Sequence, residues 1–146
     1  MEITKIFTFD AAHFLTCYHG KCEKLHGHTY KLEITIEGVV QENGLVLDFV
    51  IFKNIVKKNI LEKLDHNNLN DILKNPSSEN LVRWIWQQLT PFSKRLKEEL
   101  GSPNISEYFK QFLSNTDDLK ISESFVMLKK IKLWETATSC VAYYGE

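Results

Sequence analysis

The feature that most restricts the fold of this chain is a run of alternating side chains at residues 26–38, HGHTYKLEITIEG. Apolar residues occupy every second position from Tyr30 to Ile36, and polar or charged residues lie between them. Because successive side chains of a strand point to opposite faces of a sheet, this period indicates a half-buried β-strand. The same rule places His26 and His28, at the head of the run, on its apolar face.

Other strands are indicated near both ends of the chain. Residues 3–9 alternate in the same way, and residues 125–134 and 138–144 have the composition of two further strands. Together with residues 26–38 they predict a four-stranded antiparallel sheet. The intervening chain is different in character, because its apolar residues follow helical spacing.

Two helices are predicted between the strands. Residues 49–64 carry an apolar stripe at helical spacing, and Asp48 is suited to cap the N-terminus of that helix. The second helix begins after Pro76, with Ser77 or Ser78 as its cap. Strands at both chain ends with helices between them predict an α+β fold, with both helices on one face of the sheet.

The chain has 146 residues, which fits a single domain spanning residues 1–146. Residues 93–124 contain a break at Gly101–Pro103 and show no clear pattern. So short a stretch buries too little surface to form its own core, and we interpret it as an insertion within the domain.

Composition excludes several classes of protein. The formal net charge is −1, with 43% apolar and 25% charged residues, so no basic field predicts a nucleic-acid partner. No stretch approaches the roughly 20 apolar residues of a membrane helix, and the first residues do not resemble a signal peptide. We therefore expect a cytoplasmic protein. Three cysteines cannot all pair within one chain, and in a reducing compartment all are expected to be thiols.

Three histidines form the candidate metal site. His13 follows the first strand, and an uninterrupted pleat would place it on the same face as Phe9, close to His26 and His28. Three imidazoles without a fourth protein ligand are typical of a catalytic zinc that keeps one open position. Two alternatives remain at this point. The histidines are ordinary hydrogen-bonded side chains, or a closed Cys2His2 zinc site forms from four residues: Cys17, Cys22, His26 and His28.

Six short blocks, considered together, identify a family. In order they are FDAAHF, CEKLHGHTY, GLVLDF, LDHNNLN, NPSSENL and LWET. Their order and spacing resemble the 6-pyruvoyltetrahydropterin synthase / 6-carboxytetrahydropterin synthase family. The resemblance extends from Phe9 to Thr136 and omits only residues 93–124.

The resemblance implies a role for seven residues. They are the zinc ligands His13, His26 and His28, the catalytic residues Cys22, Asp65 and His66, and the pterin anchor Glu135. It implies no role for Cys17 or His19, and Cys140 is expected in the core. It also implies the T-fold, in which three subunits join their sheets into a barrel and two trimers stack into a homohexamer with active sites between subunits.

The implied activity is that of a carbon–carbon or carbon–oxygen lyase that uses Zn²⁺ and a small-molecule pterin triphosphate. Only three residues separate Cys22 from His26, a spacing similar to the queuosine-pathway branch. That branch converts 7,8-dihydroneopterin triphosphate to 6-carboxy-5,6,7,8-tetrahydropterin and releases acetaldehyde and triphosphate. The alternatives are the 6-pyruvoyltetrahydropterin synthase of the biopterin pathway, a non-enzymatic Cys2His2 zinc module, and another T-fold protein that binds a purine-like or pterin-like ring through a glutamate.

Overall fold

The computed structural model describes residues 1–16, 18–102 and 126–145. Its strands are β1 (Glu2–His13), β2 (His26–Gly38), β3 (Asn67–Asn68), β4 (Val126–Trp134) and β5 (Cys140–Tyr143). Its helices are α1 (Phe49–Val56), which continues through a π-helical turn (Lys57–Leu61) into Glu62–Leu64, then α2 (Ser78–Leu89) and α3 (Phe92–Leu100). Short 3-10 turns lie at Lys21–Glu23 and Leu69–Asp71.

The strands form one sheet in the order β3-β1-β2-β4-β5. The pairs β1–β2, β2–β4 and β4–β5 are antiparallel, whereas β3 runs parallel to β1. The prediction of a four-stranded antiparallel sheet is therefore wrong: the sheet has five strands and is mixed. The additional strand pairs only Asn67 and Asn68 with Ala11 and Ala12, which is too short a stretch to show a period of two in the sequence.

Among the residues described, there are three helices where two were predicted. The third, α3, begins at Phe92 and occupies the start of the stretch interpreted as an insertion. Phe92 and Leu96, one turn apart, are buried against the main core, so this helix belongs to the helical layer. Residues 103–124 lie outside the described residues, and the single domain with its insertion stays a prediction.

The core lies between the sheet and the helices, as the alternation of β2 predicts. Tyr30, Leu32, Ile34 and Ile36 are all fully buried, and the helices cover them with side chains such as Phe52 of α1. Burial of a side chain of this size contributes about 1.5–3 kcal/mol relative to leaving it in water. This packing holds β2 rigidly, and β2 carries two of the candidate metal ligands.

The helix caps follow the sequence expectations. The Asp48 carboxylate accepts hydrogen bonds from the backbone N–H groups of Val50 and Ile51, and Ser77 Oγ accepts one from that of Asn80. Cys140 was expected in the core, and that prediction is wrong, because it lies exposed on the edge strand β5. Within the described parts of the chain, every helix is too short or too polar to cross a bilayer.

Candidate active site

The pairing of β1 with β2 brings the three predicted histidines together. His13 lies directly opposite His26, and Ala11 lies opposite His28. Since alternate residues share a face, all three imidazoles lie on the helix-covered face of the sheet. One ring nitrogen from each lies within 4.8 Å of the others, and among the described residues this is the one histidine, cysteine or carboxylate cluster with such convergence.

Hydrogen bonds fix which nitrogen of two of these rings carries the proton. His13 Nδ1 lies 2.8 Å from the carbonyl oxygen of Pro76, and His26 Nδ1 lies 2.8 Å from that of Lys24. A carbonyl only accepts, so each Nδ1 carries a proton and, in the neutral ring, each Nε2 presents a lone pair. These two Nε2 atoms face each other at 3.1 Å, and two acceptors at that distance are stabilised by a cation between them.

The third imidazole is also prepared to be a ligand. His28 Nε2 is buried and has no hydrogen-bond partner among the described residues. Burial lowers the pKa of the His28 imidazole, and the opposing effect of the nearby Glu135 carboxylate is smaller. The ring is therefore held in the neutral form that a metal requires.

The chemistry of the three histidines fits a bound metal ion. The cluster offers neutral imidazole nitrogens, two of them oriented by carbonyl groups, and one orphaned buried acceptor. Imidazole ligands oriented by backbone carbonyls are the usual arrangement at zinc sites. His13, His26 and His28 could thus hold Zn²⁺, as the sequence predicts.

Glu135 lies at the same cluster. It directly follows β4, and its N–H donates to the carbonyl of Ser139 in the turn that leads to β5. Its Oε1 lies 3.3 Å from His13 Nε2 and 3.8 Å from His28 Nε2. The predicted pterin anchor therefore contacts the predicted metal ligands within a single chain.

Asp65 and His66 are brought together at a different place. His66 Nδ1 lies 2.9 Å from Asp65 Oδ1. The backbone of Asp10 holds both residues, because its N–H donates to Asp65 Oδ1 and its carbonyl accepts from the N–H of His66. His66 has a φ of 58°, a left-handed conformation that is uncommon for residues other than glycine.

This Asp65–His66 dyad lies next to β1, and a cavity opens beside His66. The cavity is lined by Asp10 and Thr29 on one face of the sheet and also by His28 of the histidine cluster. His66 is 78% exposed, whereas His13 is 1% exposed. One chain alone therefore leaves the dyad exposed, whereas it encloses His13, the most buried ligand of the histidine cluster.

Cys22 lies in the turn between β1 and β2, partly exposed, and its carbonyl accepts a hydrogen bond from the N–H of Leu15. The structure records no hydrogen bond between described residues that joins its thiol to Asp65 or His66. The thiol is also absent from the histidine cluster. Cys17, the other cysteine of the closed-site alternative, lies outside the described residues.

Sequence reasoning missed three contributors to this region. A cavity beside Glu135 is lined by Ser77 and Ser78, and Ser78 Oγ is buried without a hydrogen-bond partner among the described residues. Asn70 uses its side-chain amide to pair with both backbone groups of Phe14, the residue after His13. All three belong to the blocks NPSSENL and LDHNNLN, so the blocks were the available signal.

The chain is similar in sequence to proteins of one known family. The family model described as 6-pyruvoyl tetrahydropterin synthase matches residues 2–146. A 6-carboxy-5,6,7,8-tetrahydropterin synthase of Haemophilus influenzae is 35% identical over 146 residues, covering 97% of each chain. A 6-pyruvoyl tetrahydrobiopterin synthase of Dictyostelium discoideum is 44% identical over 82 residues, covering 52% of this chain and 61% of that one.

A solved structure of the family has the same fold as this chain. The 6-pyruvoyl tetrahydropterin synthase of Caenorhabditis elegans superposes with a TM-score of 0.69 at 21% identity, covering 100% of this chain and 96% of the other. The α+β T-fold is thereby confirmed, with the corrections to strand and helix number given above. The chain belongs to the 6-pyruvoyl tetrahydropterin synthase family of enzymes.

Proposed function

We propose that this chain converts 7,8-dihydroneopterin triphosphate to 6-carboxy-5,6,7,8-tetrahydropterin, with release of acetaldehyde and triphosphate, in the queuosine pathway. The observation that carries the proposal is the convergence of three imidazole nitrogens, two of which face each other as acceptors at 3.1 Å. The Haemophilus influenzae relative, which bears the name of this product, supports the choice of branch.

His13, His26 and His28 hold the zinc in this proposal. Bound zinc supplies a Lewis acid that lowers the free energy of negative charge developing on the oxygens of the substrate side chain. The carbonyls of Pro76 and Lys24 keep the Nε2 atoms of His13 and His26 directed at that ion.

Glu135 anchors the pterin ring. A carboxylate has two oxygens, which match the amino group and the adjacent ring N–H of a pterin. The cavity lined by Glu135, Ser77 and Ser78 supplies space for a flat ring within reach of the Glu135 carboxylate.

Cys22 and the Asp65–His66 dyad move protons. The Cys22 thiolate takes a proton from a carbon of the substrate side chain, since the thiolate is the basic form of cysteine. Asp65 orients the His66 imidazole through the 2.9 Å contact between Asp65 Oδ1 and His66 Nδ1, and His66 exchanges a proton at a second carbon.

The dyad reaches the substrate from a neighbouring subunit. Its exposure in one chain supports this arrangement, because a group that acts on substrate needs a more enclosed site. We therefore propose a homohexamer, built as a dimer of trimers. Among the described strands, β5 lies at the edge of the sheet, where strand pairing between subunits can extend it.

The runner-up is the biopterin-pathway enzyme, which keeps a pyruvoyl side chain on the ring. The partial match to the Dictyostelium discoideum protein favours it. The non-enzymatic Cys2His2 module has less support, because the thiol of Cys22 is outside the cluster and His13 is inside it.

Product analysis tests the proposal. Purified, zinc-loaded protein is incubated with 7,8-dihydroneopterin triphosphate, and products are identified by mass spectrometry. We expect acetaldehyde together with 6-carboxy-5,6,7,8-tetrahydropterin. A pyruvoyl product without acetaldehyde would establish the biopterin branch, and no conversion by fully metallated protein would contradict both.

A further inference from the structure

The Glu135 carboxylate lies close enough to His13 to share a bound metal ion with it. Its Oε1 lies 3.3 Å from His13 Nε2, nearly the same as the 3.1 Å between the Nε2 atoms of His13 and His26. Four ligand atoms around a tetrahedral zinc with bonds of about 2.0–2.1 Å lie roughly 3.3 Å apart. The carboxylate is therefore at ligand-to-ligand distance from His13.

We propose that Glu135 is a displaceable fourth ligand of the metal, bound to it when no pterin is present and released when a pterin ring takes the carboxylate. This inference rests on the proposed function, because it requires the zinc held by His13, His26 and His28. It gives Glu135 a second role, as a metal ligand, in addition to its proposed role of binding the pterin ring.

The geometry favours a ligand that can leave. Oε1 is farther from His28 Nε2, at 3.8 Å, whereas one nitrogen of each of the three imidazoles lies within 4.8 Å of the others. Glu135 thus stands at the His13–His28 edge of the cluster. Its side chain is 30% exposed in a turn after β4, whereas the strongly buried His13 is fixed by the Pro76 carbonyl. Rotation of the Glu135 side chain brings the carboxylate onto the ion or away from it.

The chemistry of the contact between Glu135 and His13 also favours a metal ion between them. His13 carries its proton on Nδ1, so Nε2 of the neutral ring offers a lone pair to a carboxylate that also only accepts. Two acceptors in contact are stabilised by a shared cation. A zinc ion satisfies both at once, and it lowers the cost of keeping the carboxylate beside the partly buried rings.

Because the Glu135 carboxylate binds either zinc or pterin in this proposal, the binding of one affects the binding of the other. A pterin that takes Glu135 removes a ligand, so it weakens zinc binding, and zinc weakens pterin binding by the same factor. The coupling is largest for a ring without side-chain oxygens, because such a ring offers no replacement ligand to the ion.

The test uses the full-length protein loaded with zinc or with cobalt(II), whose visible absorption reports its ligands. Unsubstituted pterin, the ring alone, is the probe. Glu135→Gln is compared with the wild type. Glu37→Gln is the matched control, since Glu37 pairs with Lys129 on β4, away from the cluster.

We expect Glu135→Gln to bind zinc about tenfold more weakly by chelator competition, the lower end of the loss when a metal site loses a supporting group. Glu37→Gln should match the wild type. Saturating pterin should shift the wild-type cobalt spectrum toward that of Glu135→Gln and reduce wild-type zinc affinity by a similar factor. The pterin experiment uses the wild-type protein, so it tests the proposal even if the Glu135→Gln variant does not fold.

The inference is overturned if Glu135→Gln binds zinc as tightly as the wild type with an unchanged cobalt spectrum. It is also overturned if bound pterin leaves the wild-type spectrum unaltered. These results leave the proposed function intact. A wild-type protein that binds no stoichiometric zinc, or a His13→Ala variant that keeps it, contradicts the proposed function itself.

Discussion

The histidine cluster and the Asp65–His66 dyad both lie beside β1, and they differ in how complete they are. The cluster has one buried and two partly buried rings, two fixed tautomers and a carboxylate in contact, all from one chain. The dyad has one internal contact and an imidazole that is 78% exposed. The backbone of Asp10 in β1 holds the dyad, and β1 also ends in His13.

This difference indicates which functions a single chain performs. A metal site needs several converging ligands, and one chain supplies them. Proton transfer needs an enclosed group near the substrate, and one chain leaves that group in solvent. We infer that metal binding is a property of the chain and that turnover is a property of the assembly.

Removing a ligand should have the largest effect. His13→Ala deletes the most buried imidazole of the cluster, and we expect bound zinc to fall from one ion per chain to background, with activity falling to background as well. Metal content by atomic emission and product formation measure these losses. His19→Ala is the control, because His19 is an exposed loop histidine, and it should retain zinc. Full zinc occupancy in His13→Ala would contradict the cluster as a metal site.

Removing the proton-transfer group should separate turnover from metal binding. In His66→Asn, we expect activity to fall about 10²- to 10⁴-fold, the usual contribution of a general acid or base. Asparagine tolerates the left-handed backbone, so the fold is retained. Zinc content should stay at the wild-type value. Loss of zinc in this variant would show that the two regions are not independent.

Mixed assemblies test whether the dyad acts on another chain. Subunits carrying His13→Ala and subunits carrying His66→Asn are each inactive, but co-refolding them in equal amounts creates sites with both groups intact. Random mixing should restore about a quarter of wild-type activity, since each site draws its two parts from different chains of the oligomer. Mixtures that stay inactive, with mixed hexamers verified by native mass spectrometry, would place both groups of a site in one chain.

The sequence predicted the parts of the molecule that depend on local pattern. The period of β2 predicts which of its side chains are buried, and it places His26 and His28 on one face. Asp48 capped its helix as expected. The six blocks named the family, which the comparisons confirmed.

Features that depend on distant segments could not be predicted. The two-residue strand β3 is held by Ala11 and Ala12, far away in the sequence, and leaves no period of its own. The contact between Glu135 and His13 depends on the register of β4 against β2 and on the following turn. The exposure of the dyad depends on how it packs against Asp10 of β1, and the sequence around Asp65 and His66 carries no such information.

The smallest predicted effect concerns the residue that connects the two regions. Asn70 follows β3 and the dyad, and its side chain satisfies both backbone groups of Phe14 next to His13. Asn70→Ala leaves a partly buried N–H and C=O without partners, so we expect the free energy of unfolding to fall by about 2 kcal/mol. Asn70→Asp, which keeps only the accepting role, should lose less. Denaturant titration measures both, with Asn54→Ala at an exposed site of α1 as control.

The central claim, that three imidazoles of one chain hold a zinc whose fourth position is open to exchange, is tested most directly by X-ray absorption spectroscopy of the zinc-loaded protein. We predict a first shell of three imidazole nitrogens and one oxygen at about 2.0–2.1 Å, with no sulfur. A sulfur scatterer at about 2.3 Å would show that a cysteine closes the site, and it would contradict the account.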